Sequence, residues 1–169
     1  MKKKLLIIGA GGFGREVMAM ALDICSVKQV GWEMYGFLDD NTKALDGVDT
    51  LGYGIADTIT GHNVSDSCVY ACAIADYKIR ERICGEYIAN GAEFIDVIHP
   101  TSKIGRSSRT GKGLIMAPYS CITENAVIGD FVIINGYTGI GHDAVLGDYC
   151  TLSAHCDITG HTVLGKGVF

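Results

Sequence analysis

The chain has almost no proline, 2 of 169 residues, and no apolar run long enough to cross a bilayer. It also has no CxxC pair, no HxxH or HExxH spacing and no arginine cluster. Each absence excludes something. A spanning helix needs about 20 consecutive apolar residues, whereas the run that begins at Leu5-Leu6-Ile7-Ile8 breaks at Gly9. That is also too short for a signal peptide, despite the Met1-Lys2-Lys3-Lys4 start. Without a basic stripe and with a net charge of −5, nucleic acid is not the expected partner. The seven cysteines are odd in number and have no secretion signal, which fits reduced thiols in a cytoplasmic protein. No metal site is expected: the thiols read as core and the imidazoles as surface. The length allows one domain or two small ones.

Glycine is abundant instead, with 23 residues. In the first half, strand and helix signals alternate. Lys4–Ala10, Glu33–Asp39, Ser67–Ala75 and Glu93–Ile98 read as strands. Gly14 to about Cys25 reads as a helix with Val17, Ala21 and Leu22 on one face. Asp76–Ala89 reads as a second, with Ile79, Ile83, Tyr87 and Ile88 opposite Lys78, Arg80, Glu81 and Arg82. The Gly- and Asp-rich segment 41–63 reads as mostly loop. Alternating β and α elements imply a parallel sheet carrying helices on its faces.

After His99-Pro100 a period of six takes over. Stepping by six from Ile98 gives Ile104, Thr110, Met116, Ile122, Ile128, Ile134, Ile140, Leu146, Leu152, Ile158 and Leu164. The residue four after each is small in every case except Leu114, and Gly follows the aliphatic at 105, 111, 129, 141, 147 and 165. A hexad fits neither the helical 3.6 nor a continued strand alternation. It fits a solenoid in which each flat face takes one hexad, the aliphatic pointing inward, the small residue filling the corner and Gly relieving the backbone at the bend. A longer period of 18 is visible in Gly111, Gly129, Gly147 and Gly165, so three hexads make one triangular coil. The expected domains are residues 1–97 and 98–169.

Two regions carry chemistry. Gly9-Ala10-Gly11-Gly12-Phe13-Gly14 is a GxGxxG that follows a strand and opens a helix, with Asp39-Asp40 closing the second strand. Such a loop lets backbone approach a phosphate beneath a positive helix N-terminus, and an acid there can accept from a ribose or base. A glycine turn serving packing alone is the other reading. A dinucleotide fold has two mononucleotide halves. Only one half precedes the solenoid, so a mononucleotide such as a UDP-sugar suits the space better than NAD, and an NAD-linked oxidoreductase lacks its second half-sheet. The second region is Ile140-Gly141-His142-Asp143. His142 falls near a coil corner and faces out, with Gly160 one coil above it. An outward histidine beside a glycine amide can be a general base next to an oxyanion donor, or simply a solvated surface side chain. His155 and His161 fall at other hexad positions and read as surface residues. Cys150 and Cys156, at inward small positions, read as packing.

From residue 98 onward the chain resembles the hexapeptide-repeat proteins, whose left-handed parallel β-helix is thereby implied. The whole order, GxGxxG, "FLDD", "VIHP", then coils with "GHD", resembles the sialic acid O-acetyltransferase family and its branch of bacterial UDP-4-amino-sugar N-acetyltransferases. The expected fold is therefore an α/β Rossmann-like half domain joined to an all-β left-handed β-helix. The resemblance implies acetyl transfer from acetyl-CoA to an amine or hydroxyl of a nucleotide sugar, with His142 as base and Asp143 hydrogen-bonded to it. It implies Asn135 and the Gly160 amide at the cofactor, with the amide polarising the thioester carbonyl. Gly9, Gly11, Gly12, Phe13, Gly14, Asp39 and Asp40 would hold the nucleotide, and acetyl-CoA would lie between subunits of a homotrimer. Thr151 stands where some relatives carry a histidine that contacts acceptor or cofactor. The hexad pattern is still running at Phe169, so further coils are expected in relatives. A trimeric sugar-nucleotide-binding protein with an incomplete CoA site is the alternative.

Overall fold

Leu5, Leu6, Ile7 and Ile8 form an unbroken apolar run, the pattern of a strand covered on both faces. In the computed structural model, which describes residues 2–169, all four are buried in β1 (Lys3–Ile8). Helix α1 (Gly12–Val27) buries Val17, Met18, Ala21 and Ile24 along one stripe, as helical spacing requires. Strands β2 (Trp32–Leu38), β3 (Ile55–Asp57) and β4 (Cys68–Cys72) complete a parallel sheet in the order β3-β2-β1-β4. The order reverses between β1 and β4, so the crevice beyond the C-terminal ends of these two strands is where such a sheet takes a ligand.

The segment 41–63 is mostly loop, as expected, and holds one short edge strand, β3, which pairs with Phe37 and Leu38. Two expectations for this half are corrected. Glu93–Ile98 is not a fourth strand of this sheet: only Phe94 bridges Tyr70, and Val97–Ile98 pairs elsewhere. On helix α2 (Tyr77–Ala89), capped by Asp76 through Lys78 N and Ile79 N, Arg80 is fully buried while Ile79 is 45% exposed. A buried guanidinium requires acceptors. Arg80 Nη1 donates to Ile74 O at 2.6 Å and Ala75 O at 3.0 Å, tying down the turn that leaves β4.

The chain divides into two units, Met1–Ile95 and Asp96–Phe169. The boundary falls two residues earlier than the expected 97, because Asp96 already belongs to the coils: its Oδ1 accepts from Leu114 N, 18 residues on. The described residues of this unit hold twelve two-residue strands, from β5 (Val97–Ile98) to β16 (Val163–Leu164), in three four-stranded parallel sheets. Every partner lies 18 residues away, as in Val127↔Val145 and Ile133↔Thr151. The hexad aliphatics Met116, Ile122, Ile128, Ile134, Ile140, Leu146 and Leu152 form the core with Ala126, Val132, Ala144 and Cys150. Each such aliphatic contributes about 1.5–3 kcal/mol on burial.

The bends are not made by the glycines expected there. The left-handed backbone sits two residues later in the hexad, at the successive corners Tyr119, Asn125, Phe131, Tyr137, Asp143, Tyr149, His155 and His161, with φ from 54° to 61°, flanked by Gly113 and Gly167 at the same hexad position with φ 69°. Left-handed conformation costs roughly 1–2 kcal/mol per non-glycine residue. It also turns each corner N–H toward the preceding coil: Phe131 N donates to Lys112 O, Tyr137 N to Pro118 O and Tyr149 N to Asp130 O. Ring stacking adds support of about 0.5–1.5 kcal/mol per pair, in Tyr119–Tyr137 (5.1 Å), Tyr137–His155 (5.0 Å) and Phe131–Tyr149 (5.4 Å).

The hexad glycines answer to close approach instead. A Cβ on Gly129 would lie 2.6 Å from Asp148 N and 2.8 Å from Gly147 C, backbone atoms that cannot rotate away. Gly129→Ala is therefore expected to destabilise the coils by about 1–3 kcal/mol. Gly136→Ala, which meets only Pro118 O at 3.2 Å, should change stability by no more than ~0.5 kcal/mol. Chemical denaturation of the two variants beside wild type checks the contrast. Equal loss would mean that coil contact does not select glycine at 129.

Candidate active site

The glycine loop is built around Asp39. Gly9 leaves β1 at φ +98°, open to glycine at little cost. Its N–H donates to Leu38 O, and the next amide, Ala10 N, donates to Asp39 Oδ2 at 2.7 Å. The other carboxylate oxygen accepts from Asn41 N at 2.9 Å. Asp39 thus fixes the loop through both of its carboxylate oxygens. Asp40 turns to Thr60, accepting from its N–H and hydroxyl at 3.0 and 3.1 Å. Gly14 packs so closely that a Cβ would lie 2.0 Å from Gly9 O, which seats α1 directly on the loop. Gly11 is the N-cap and supplies no side-chain cap, so the first amides, beginning with Gly12 and Phe13, face outward with the positive end of the helix dipole.

Sequence reading missed the neighbouring polar cluster. His62 Nε2 lies 3.0 Å from Tyr70 Oη, and its Nδ1 lies 3.4 Å from Asp57 Oδ2. Burial pushes the Tyr70 hydroxyl up to about 12. Ile59, Thr60, His62 and Asn63, with Glu86 and Tyr87 of α2, line a half-open polar cleft of about 300 Å³. Histidines without a motif give no signal for this arrangement in the linear sequence.

In the coil unit, His142 is exposed and its Nδ1 lies 2.7 Å from Asp143 Oδ2. The hydrogen bond from His142 is the main cause that holds the Asp143 carboxyl below its ordinary range, with the charge of His161 adding to it. An ionised carboxylate only accepts. Nδ1 therefore carries a proton, and in the neutral imidazole Nε2 is the nitrogen left free to accept one. That nitrogen leans on Gly160: a Cβ there would lie 2.8 Å from Nε2 and 2.9 Å from Cε1. The coil above is locked in register by His161 N donating to His142 O at 2.9 Å. His161, read as a surface residue, is exposed, yet its ring meets that of His142 edge-on at 5.1 Å and its Nε2 lies 3.9 Å from Asp143 Oδ2. The left-handed turn at Asp143, with Asp143 N donating to Glu124 O, aims the carboxylate at both rings.

His142, Asp143 and Gly160 are thus together. Asn135 is anchored separately, its N–H and Nδ2 both donating to Leu152 O. Thr151 is buried on β14 (Thr151–Leu152), paired with Ile133.

Residues 4–87 match the PglD N-terminal domain, and residues 125–160 match the bacterial transferase hexapeptide (six repeats). The chain is 31% identical over 125 residues to a GDP-perosamine N-acetyltransferase from Escherichia coli O157:H7, covering 72% of this chain and 54% of that protein. The chain thus pairs a PglD N-terminal domain with bacterial transferase hexapeptide repeats. It spans about half the length of that curated relative. Among solved structures it is similar to WeeI from Acinetobacter baumannii AYE, with a TM-score of 0.79 and 26% identity over 97% of this chain and 76% of that one. The acetyltransferase domain of PglB from Neisseria gonorrhoeae FA1090, in complex with acetyl coenzyme A, has a TM-score of 0.68 and 22% identity over 99% of this chain and 90% of that one. A perosamine N-acetyltransferase from Caulobacter crescentus, in complex with CoA and GDP-perosamine, has a TM-score of 0.73 and 21% identity over 97% and 86%. The last two likenesses speak for the fold, and with it for the left-handed β-helix. Among the described residues no helix is long and apolar enough to cross a membrane.

Proposed function

We propose that this protein transfers an acetyl group from acetyl-CoA to an amine of a nucleotide-linked sugar, with His142 as general base. The observation that carries the reading is the Asp143–His142–Gly160 arrangement: a carboxylate fixes Nδ1–H, and Nε2 lies against a side-chain-free backbone. In the proposed step Nε2 takes the proton of the acceptor as its nitrogen attacks the thioester carbon. The Gly160 amide stabilises the oxyanion, and the C–S bond breaks to release CoA thiolate. No protein nucleophile is needed. Direct transfer of this kind draws on base catalysis and on holding both substrates in one cleft.

The amine is favoured over the hydroxyl because the curated relative is named as an N-acetyltransferase. The nucleotide end is assigned to the loop of Gly9, Gly11, Gly12, Phe13 and Gly14 braced by Asp39, with Asp40 at its edge. Phosphates would meet the exposed amides at the start of α1. Asn135 is assigned to hold the coil edge along which CoA runs, and Thr151 a backing role behind it. A homotrimer with acetyl-CoA between neighbouring coils is part of the same reading. Seven free cysteines support action in a reducing compartment such as the bacterial cytoplasm.

The test is acetyl-CoA-dependent release of free thiol with a panel of GDP- and UDP-linked amino sugars, and with sialic acids for the O-transfer case. Release is expected with one nucleotide amino sugar, with stoichiometric acetylation of its amine. Release with sialic acid alone would reassign the acceptor atom. No release with any acceptor, while a nucleotide sugar still binds, would overturn the transferase reading in favour of a binding protein.

A further inference from the structure

The linear sequence shows no metal-ligand spacing, because His142 and His161 are 19 residues apart. The solenoid removes that distance. One coil is 18 residues, so His161 lands one residue beyond the position above His142, and its ring meets the other edge-on at 5.1 Å. Asp143 stands between them, 2.7 Å from His142 Nδ1 and 3.9 Å from His161 Nε2 by the same oxygen, Oδ2. One ligand atom from each of the three lies within 4.8 Å of the others.

We propose that His142, Asp143 and His161 form a binding site for a zinc-class divalent ion, and that loading it takes the His142 imidazole out of use as a base. Two imidazoles and one carboxylate are a donor set suited to Zn²⁺, Co²⁺ or Ni²⁺, with the remaining positions open to water. Bonds of about 2.0–2.2 Å at tetrahedral or octahedral angles separate donor atoms by about 3.0–3.4 Å. Two of the three separations, 2.7 and 3.9 Å, bracket that range, and the third, between the two imidazole nitrogens, is no more than 4.8 Å. All three side chains are exposed, so the site can contract onto an ion by side-chain rotation. The ion would take the place of the proton on His142 Nδ1, which the hydrogen bond to Asp143 now holds, and a neutral imidazole ligated there carries its proton on Nε2, the nitrogen the base needs free. Binding thus competes directly with the orientation that the dyad enforces.

The inhibitory half rests on His142 being the base, whereas the binding half does not. The decisive titration is therefore optical and needs no turnover. Co²⁺ is added to the full-length protein and visible d–d absorption is followed, beside His161→Ala and His142→Ala, each checked for its fold by circular dichroism. Saturable absorption without thiolate-to-metal charge transfer is expected, weakened at least ~10-fold in either variant. Absorption that carries the thiolate band, or that survives unchanged in His161→Ala, would place the ion on the cysteines and overturn the site. So would the absence of saturable binding. In the transfer assay, Zn²⁺ should slow thiol release in proportion to occupancy, and a chelator should restore it. A filled site with undiminished release would overturn the inhibitory half. If wild type releases no thiol with any acceptor, the optical titration still decides the site, so failure of the transferase reading and failure of this one stay separate.

Discussion

Replacing His142 by alanine should lower acceptor-dependent thiol release by about 10²–10⁴-fold, the usual worth of a positioned general base. Binding of CoA and nucleotide sugar should change little, since neither substrate is held by this imidazole in the proposed step. His142→Gln keeps the bulk and a hydrogen bond but cannot take the proton, and should be as slow as alanine. A loss smaller than ~10-fold in both would remove His142 from the role. Asp143→Asn separates orientation from proton transfer. It leaves the imidazole free to turn and to carry its proton on Nε2, so its rate should fall between wild type and His142→Ala. The pH profile adds a check with a defined sign. The Asp143 carboxyl is held low, chiefly by the His142 hydrogen bond. A depressed carboxylate contributes stability that is present above its unfolded value and is lost as pH falls through its lower folded value. The orienting bond therefore persists through neutral and mildly acid pH and is lost only as pH falls through that lowered carboxyl value.

Much of this site was legible in the linear sequence because a solenoid is nearly one-dimensional. Once hexads align from Ile98 to Leu164, an offset of 18 predicts which residues stack, and Gly160 over His142 follows. The same arithmetic contains His161 over Asp143. It was passed over because a histidine at a corner position gives no sign of which way its ring leans. The corner chemistry was hidden for another reason. Positive φ is expected at glycine or asparagine, yet here Tyr119, Tyr137 and His155 adopt it, where stacking and coil-to-coil hydrogen bonds offset the strain. Arg80 misled in the α/β unit because periodicity counts arginine as surface. Its burial is understandable only from the carbonyls of Ile74 and Ala75, which the turn after β4 brings beneath it. Strand β3 is three residues at a sheet edge inside a Gly-rich stretch, too short for any period to register.

Gly160→Ala should lower the turnover rate by about 10²-fold while leaving the coils folded. The added Cβ would lie 2.8 Å from His142 Nε2 and 2.9 Å from Cε1, and also 3.1 Å from His142 O, which is backbone and cannot swing away. The ring must yield, by a few tenths of an ångström to an ångström, and a shift of that size at a reacting group is enough for such a loss. The fold should tolerate the change, because Gly160 is not among the left-handed positions and lies partly at the surface. The cost should therefore fall on the turnover rate and leave the melting temperature and CoA affinity close to wild type. Gly136→Ala is the control: its Cβ meets only Pro118 O at 3.2 Å, and its rate should stay at wild-type level. If Gly160→Ala turned over as fast as Gly136→Ala, contact between the imidazole and the Gly160 backbone would play no part in transfer. The oxyanion would then have to be stabilised by another group. If both variants lost activity together with stability, the coils would be less tolerant than their contacts imply, and the test would move to Gly160→Ser at lower temperature, where folding and rate can be read apart.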